Sequence, residues 1–240
     1  MENYYGGNWE AAQQRFISSG KANAFLQQIY VTMALGLGIT GLTAYSFGND
    51  LLAGEYLWLF TSPLKWLLIF APLGLVVLLS AGINRMSFST ASLVFGLYAL
   101  LNGLAISCIF VIYTQTSISS TFFITGGTFA AMAAVGTLTK IDLSKFSSFF
   151  LMAFIGLIIA GVVNIFLKST MFNYIISGAG VLIFCGLTAY DVQKLMQMGV
   201  EADMQNDNIR KLTVLGALTL YLDFLNLFMY LLRFFGNRRD

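Results

Sequence analysis

The chain has 240 residues, of which 58% are hydrophobic and only 10% charged, with a mean hydropathy of +0.77 and a formal net charge of +2. A soluble domain carries about 25% charged residues, so this composition cannot cover a water-facing surface and implies a polytopic membrane protein. The weak, scattered positive charge gives no basis for a nucleic-acid partner, and the absence of histidine removes the usual neutral-pH titrating group and commonest metal ligand.

Residues 1–23 include the amphipathic stretch WEAAQQRFISSGKANAF. Such a stretch can lie on a membrane surface, but it reads better as a cytoplasmic N-terminal tail. The first apolar run begins near Ala24, is too long for a signal-peptide core and lacks a cleavage site, so it is a retained span.

A membrane helix needs about 20 apolar residues. Seven windows qualify, roughly 24–47, 64–84, 88–113, 121–139, 146–167, 173–193 and 212–235, and together they make one transmembrane domain over residues 24–236. The fold class is therefore all-α integral membrane, a seven-transmembrane-helix bundle. Trp58 and Trp66 bracket the start of the second span as an interfacial belt, and Pro72 within it is expected to kink the helix. GLGITG, from Gly36 to Gly41, and GGTFAAMAAVG, from Gly126 to Gly136, are expected to let helices approach closely. Cys108 and Cys185 fall in separate spans with no disulfide or metal spacing, which leaves them as small packing residues.

With the N-terminus inside, the inner segments carry Arg15, Lys21, Arg85, Lys140, Lys145, Lys194, Arg210 and Lys211, and the outer loops only Lys65 and Lys168. That asymmetry favours a cytoplasmic N-terminus. Arg233, Arg238 and Arg239 disagree, because seven crossings put them outside. Either the rule fails there or the last segment does not cross fully.

Of the eleven acidic residues, two lie inside apolar spans: Asp191 in GLTAYDVQKL and Asp223 in LTLYLDFLNLFMYLLRFFG. A carboxylate at membrane depth costs about 2.5–3.5 kcal/mol on insertion scales and usually faces an interior or a water-filled path. Each also has a plainer reading, as a structural polar contact or, for Asp191, a boundary charge. If the two meet, they cannot both ionise cheaply and they titrate as a unit. Counted from the outer ends of their spans, their depths differ by roughly 9 Å, so contact requires tilt or stagger. Arg85, in INRMS, ends the second span on the same side as Asp191 and is either an anchor or a latch for that carboxylate. Asn226 shares a face with Asp223, and Tyr190 and Tyr221 neighbour the aspartates, so these three are candidate supporting groups.

Several enzyme classes fail on the residues. Tyr190–Asp191 fits half of an intramembrane aspartyl protease signature, but the glycine-bearing second half is missing around Asp223, as is a Pro-Ala-Leu motif. The last span has no lysine for a retinal Schiff base, and no phosphate-binding loop or zinc motif is present. The expectation is no enzyme and no cofactor, leaving a passive ion path, a proton-coupled transporter, or a regulator acting on another membrane protein. Calcium suits hard carboxylate ligands, and Asp191 with Asp223 would bind it weakly and transiently.

GLTAYDVQKL followed by ALTLYLDFLNLFMYLLRFFG, together with SLVFGLYALLNGLAIS in the third span, resembles the Bax inhibitor-1 (transmembrane Bax inhibitor motif) family, and most of all its bacterial YccA/YetJ-like branch; the resemblance covers roughly residues 20–236. It implies a bundle whose last helix is surrounded by the other six, located in the bacterial cytoplasmic membrane. It also implies a pH-sensitive calcium leak in which Asp191 and Asp223 pair and a basic residue, matched by position to Arg85, latches onto the first of them. Many relatives carry an acidic residue in the second span, and this sequence has none near Gly74. The partners implied are the lipid bilayer, calcium and protons, with another membrane protein for members that act as regulators.

Overall fold

The computed structural model describes residues 6–200, 202 and 206–239. Among the described residues every regular element is helical, and a single isolated bridge joins Tyr113 to Arg238. In chain order the helices are α1 (Gly6–Leu52), the short α2 (Leu57–Thr61), α3 (Leu64–Gly82), α4 (Phe88–Ile106), the short α5 (Ile109–Ile112), α6 (Gln115–Leu138), α7 (Ser147–Leu167), α8 (Thr170–Gly199) and α9 (Asp207–Phe235). Seven segments are long and apolar enough to cross a membrane, with α4 and α5 forming one of them, Phe88–Ile112.

The helix starts carry their own signals. Ser87, Thr114, Ser169 and Asn206 each accept a backbone N–H of the first turn through their side chains. These caps satisfy donors that a helix end otherwise leaves orphaned. The α7–α8 turn is two residues long, and Lys168 takes a left-handed conformation there, φ 50°, to reverse the chain. The segment read as a tail is helical from Gly6 and continuous with the first span. α3 passes through Pro72 without interruption.

Burial is uneven, as expected where lipid replaces water outside the bundle. α9 is the most buried span, with Tyr221, Leu220, Leu227 and Leu232 fully enclosed, and it packs against α8, α1, α6 and α4. α3 lies on α4, and α7 lies on α8 with Leu157 as its buried residue. Large apolar side chains such as Phe70, Val77, Phe123 and Ile165 point outward.

Close helix contacts use only part of the small-residue stretches. A side chain at Gly136 would strike the Ala189 carbonyl of α8, and one at Gly36 would meet Phe95 at 2.6 Å. Gly38, Gly41, Gly126 and Gly127 have open space beside them. Helical spacing alone does not tell which face of a small-residue run meets a neighbour.

The bundle has two ends. At one, Gly199 of α8 meets Ala22 and Phe25 of α1, Gln193 holds the α6–α7 loop, and Arg210 lies over the Phe88 ring at 4.3 Å. At the other, Gln115 bonds Asn49 at 2.9 Å, and the chain end pairs with Ile112–Ser117. The last helix therefore crosses the whole bundle, and Arg238 and Arg239 stand on the face opposite the α8–α9 loop. Of the two explanations offered for the charge count, an incomplete last segment does not fit α9, which runs from one end of the bundle to the other.

Candidate functional site

Asp191 and Asp223 meet because of how α8 and α9 are staggered. Gly180 packs on Tyr230 and Leu195 on Gly216, and this antiparallel register brings residue 191 within a turn of residue 223. α8 also runs to Gly199, well past the sequence-based limit near residue 193. The stagger, not the length of either helix, removes the depth mismatch. The two carboxyl groups are direct neighbours, close enough to interact side chain to side chain. An ionised carboxylate has no proton to donate, so a hydrogen bond between them forms only when one of the pair is protonated.

Asp223 is 6% exposed, and its Oδ2 is buried without a hydrogen-bond partner among the described residues. Asp191 is half-buried, one turn from exposed Lys194, which attracts it electrostatically. The Lys194 ammonium itself rests over the Tyr190 ring at 5.9 Å. The remaining supports come from backbone geometry. Ala189, two residues before Asp191, lies against Gly136, so α6 is held close to this part of α8.

The other candidates are elsewhere. Tyr221 points away from the pair, since residues two apart lie on opposite sides of a helix. Its hydroxyl bonds Thr40 Oγ1 at 2.6 Å, and Thr40 donates to the Ala99 carbonyl at 2.8 Å. Thr40 has only one proton, so Tyr221 is the donor in their bond. The Tyr221 ring sits edge-on to Phe95 and Tyr98, at 5.6 and 5.5 Å. Asn226 returns its amide to the Leu222 carbonyl of its own helix at 2.8 Å. Tyr190 packs on Phe150 of α7. Arg85 is exposed on the short 3-10 turn after α3, at the loop end of the bundle, and makes no ion pair among the described residues.

Two residues were not singled out by sequence reasoning. Gln193 accepts the Leu143 N–H at 2.8 Å and donates to the Ile141 carbonyl at 2.9 Å, clamping the α6–α7 loop onto α8 just below Asp191. Thr40 anchors α9 to α1. Gln193 could have been noticed as a polar side chain two positions from Asp191. Thr40 gave no signal, because a threonine in an apolar helix usually bonds its own backbone.

Two neighbouring carboxyl groups in an enclosed setting are able to share a proton. Among the described residues no three His, Cys, Asp or Glu side chains converge. Calcium takes 6–8 oxygens, more than two carboxyl groups supply.

A family model described as Bax1-I, inhibitor of apoptosis-promoting Bax1, matches residues 22–240. Inner membrane protein YbhL of Escherichia coli strain K12 is 46% identical over 217 residues, covering 90% of this chain and 92% of its own length. Protein RP147 of Rickettsia prowazekii is 43% identical over 217 residues, covering 90% of each. A protein of Borreliella burgdorferi is 41% identical over 219 residues, covering 91% of this chain and 94% of its own.

Proposed function

The chain belongs to the Bax inhibitor-1 family, and on that premise we propose that it is a pH-sensitive calcium leak of the bacterial cytoplasmic membrane. The observation that carries the reading is the neighbouring Asp191 and Asp223 carboxyl groups, enclosed between two membrane helices with one carboxyl oxygen left unpartnered among the described residues. A polar atom without a partner in a buried site costs about 1–3 kcal/mol. A fold that tolerates this cost has a use for the atom, and a passing cation or proton is that use.

In this reading Asp223 lines the path and Asp191 couples it to the loop end. When the pair loses its shared proton, two adjacent carboxylates repel. Asp191 is then free to attract a cation at the loop end, and Arg85 closes the path by pairing with it. Protonation removes that attraction and favours opening, so flux rises as pH falls. The charges around Asp191 that modulate this are Lys194 on its own helix and, at the same end of the bundle, Arg85, Arg210 and Lys211. The excess of Lys and Arg at that end supports a cytoplasmic location for it and for the N-terminus.

Calcium release from liposomes holding the purified protein, followed across pH, tests the proposal. Release that grows with acidity supports a gated leak, and no release at any pH contradicts it. A second reading, a regulator that binds another membrane protein, draws on the family description as an inhibitor of apoptosis-promoting Bax1. In that case the aspartates only hold α8 to α9, and Asp223→Asn alters partner capture without altering ion flux.

A further inference from the structure

α1 and α6 do not pack closely on each other, and between them lies an apolar cavity of about 310 Å³. Its walls include Gly41 and Tyr45 of α1, Phe110 of α5, Phe122 and Phe123 of α6 and Phe228 of α9. Tyr45 is 54% and Phe123 77% exposed, so the mouth opens sideways, at the depth where lipid chains lie. Thr40, Tyr45 and Ser119 are the lining residues with side-chain polar groups, and the Thr40 hydroxyl is already bonded on both sides. A buried water needs two to four polar partners, so this cavity favours hydrocarbon.

A basic rim stands over the same cavity. Arg238 bridges Tyr113, and the Arg239 N–H donates to the Ile112 carbonyl at 2.9 Å, so both arginines are fixed just beyond Phe110. Asn237 donates its backbone N–H to Ser117 Oγ at 2.8 Å, two residues before Ser119. The Gln115–Asn49 bond closes the gap between α6 and α1 above the mouth. Both arginines are exposed, and neither forms an ion pair among the described residues, Asp50 beside Asn49 included. Two cationic side chains on a backbone held beside an apolar slot complement a molecule with an anionic head and a hydrocarbon tail.

We propose that the α1–α6 cavity and the C-terminal tail form one binding site for an anionic phospholipid of the leaflet opposite the α8–α9 loop. One acyl chain fills the cavity, and the phosphate of the headgroup meets Arg238 and Arg239. This gives the arginines that break the positive-inside pattern a task on their own face. The chain would rest on Thr40, Leu225 and Phe228, which ties lipid occupancy to the helix that carries Asp223.

Native mass spectrometry of the full-length protein, titrated with phosphatidylglycerol and with phosphatidylcholine of the same acyl chains, tests this. The expected result is preferential retention of phosphatidylglycerol, reduced about fivefold for each arginine changed in Arg238→Gln and Arg239→Gln. Gly41→Phe, where an added side chain meets nothing within 4 Å of its Cβ, should lower retention of both lipids. If Gly41→Phe fails to fold, the arginine variants still decide, because their side chains lie outside the apolar body. Equal retention of the two lipids by the wild type overturns the proposal. So does unchanged preference in the double arginine variant, or a second copy of the chain seated in place of lipid.

Discussion

Tyr221 and Thr40 join α9 to α1 through a hydroxyl–hydroxyl bond of 2.6 Å in a fully buried setting. Tyr221 is the donor, because the Thr40 proton is committed to the Ala99 carbonyl. Tyr221→Phe keeps the ring contacts with Phe95 and Tyr98 and removes only that donor. We expect a loss of about 0.5–1.5 kcal/mol, read as a lower melting temperature in detergent. An unchanged melt would mean that the hydroxyl bond contributes nothing to holding α9.

Gly136 and Gly126 belong to one small-residue stretch but have opposite surroundings. Gly136→Ala drives a methyl group into the Ala189 carbonyl and should cost about 1–3 kcal/mol by forcing α6 away from α8. Gly126→Ala should leave stability unchanged or raise it slightly, since alanine favours the helix. Thermal unfolding of the two variants side by side checks the assignment, and equal effects would contradict it.

Gln193 holds the α6–α7 loop by two hydrogen bonds. In Gln193→Ala, the Leu143 N–H and the Ile141 carbonyl lose their partners together. Faster amide exchange is expected across residues 139–146, with little change at the opposite end of the bundle. Protection that stays uniform would show that the loop is held by something else.

Much of the architecture was legible because the bilayer imposes it. About 20 apolar residues per crossing and short polar links gave seven spans that correspond to the helices described. The helices run past the apolar windows where polar side chains continue them, as at Lys194–Gly199 in α8 and Asp207–Lys211 in α9. The stagger that brings Asp191 to Asp223 is set by packing such as Gly180 on Tyr230 and Leu195 on Gly216, so the contact could not be derived from span lengths. The pair itself was legible, since a carboxylate in an apolar span is costly. The directions of Tyr221 and Asn226 were not, because nearness in sequence says little about which face a side chain takes.

Asp223→Asn substitutes an amide that can donate permanently to Asp191. The α8–α9 seam should therefore keep its hydrogen bond, and the fold should be at least as stable as the wild type in neutral buffer. The variant can no longer exchange a proton within the pair. Melting curves at two pH values check this: the wild type should shift between them and the variant should shift less. Equal shifts would place the responsible titration outside the pair.

The central claim is that the Asp191–Asp223 pair, through its shared proton, controls passage of calcium. Its most direct measurement is calcium flux into liposomes against pH for the wild type beside Asp191→Asn. The account expects wild-type flux to climb as the medium is acidified and the variant to run at one rate across the same range. A variant whose flux follows the wild-type curve would contradict it.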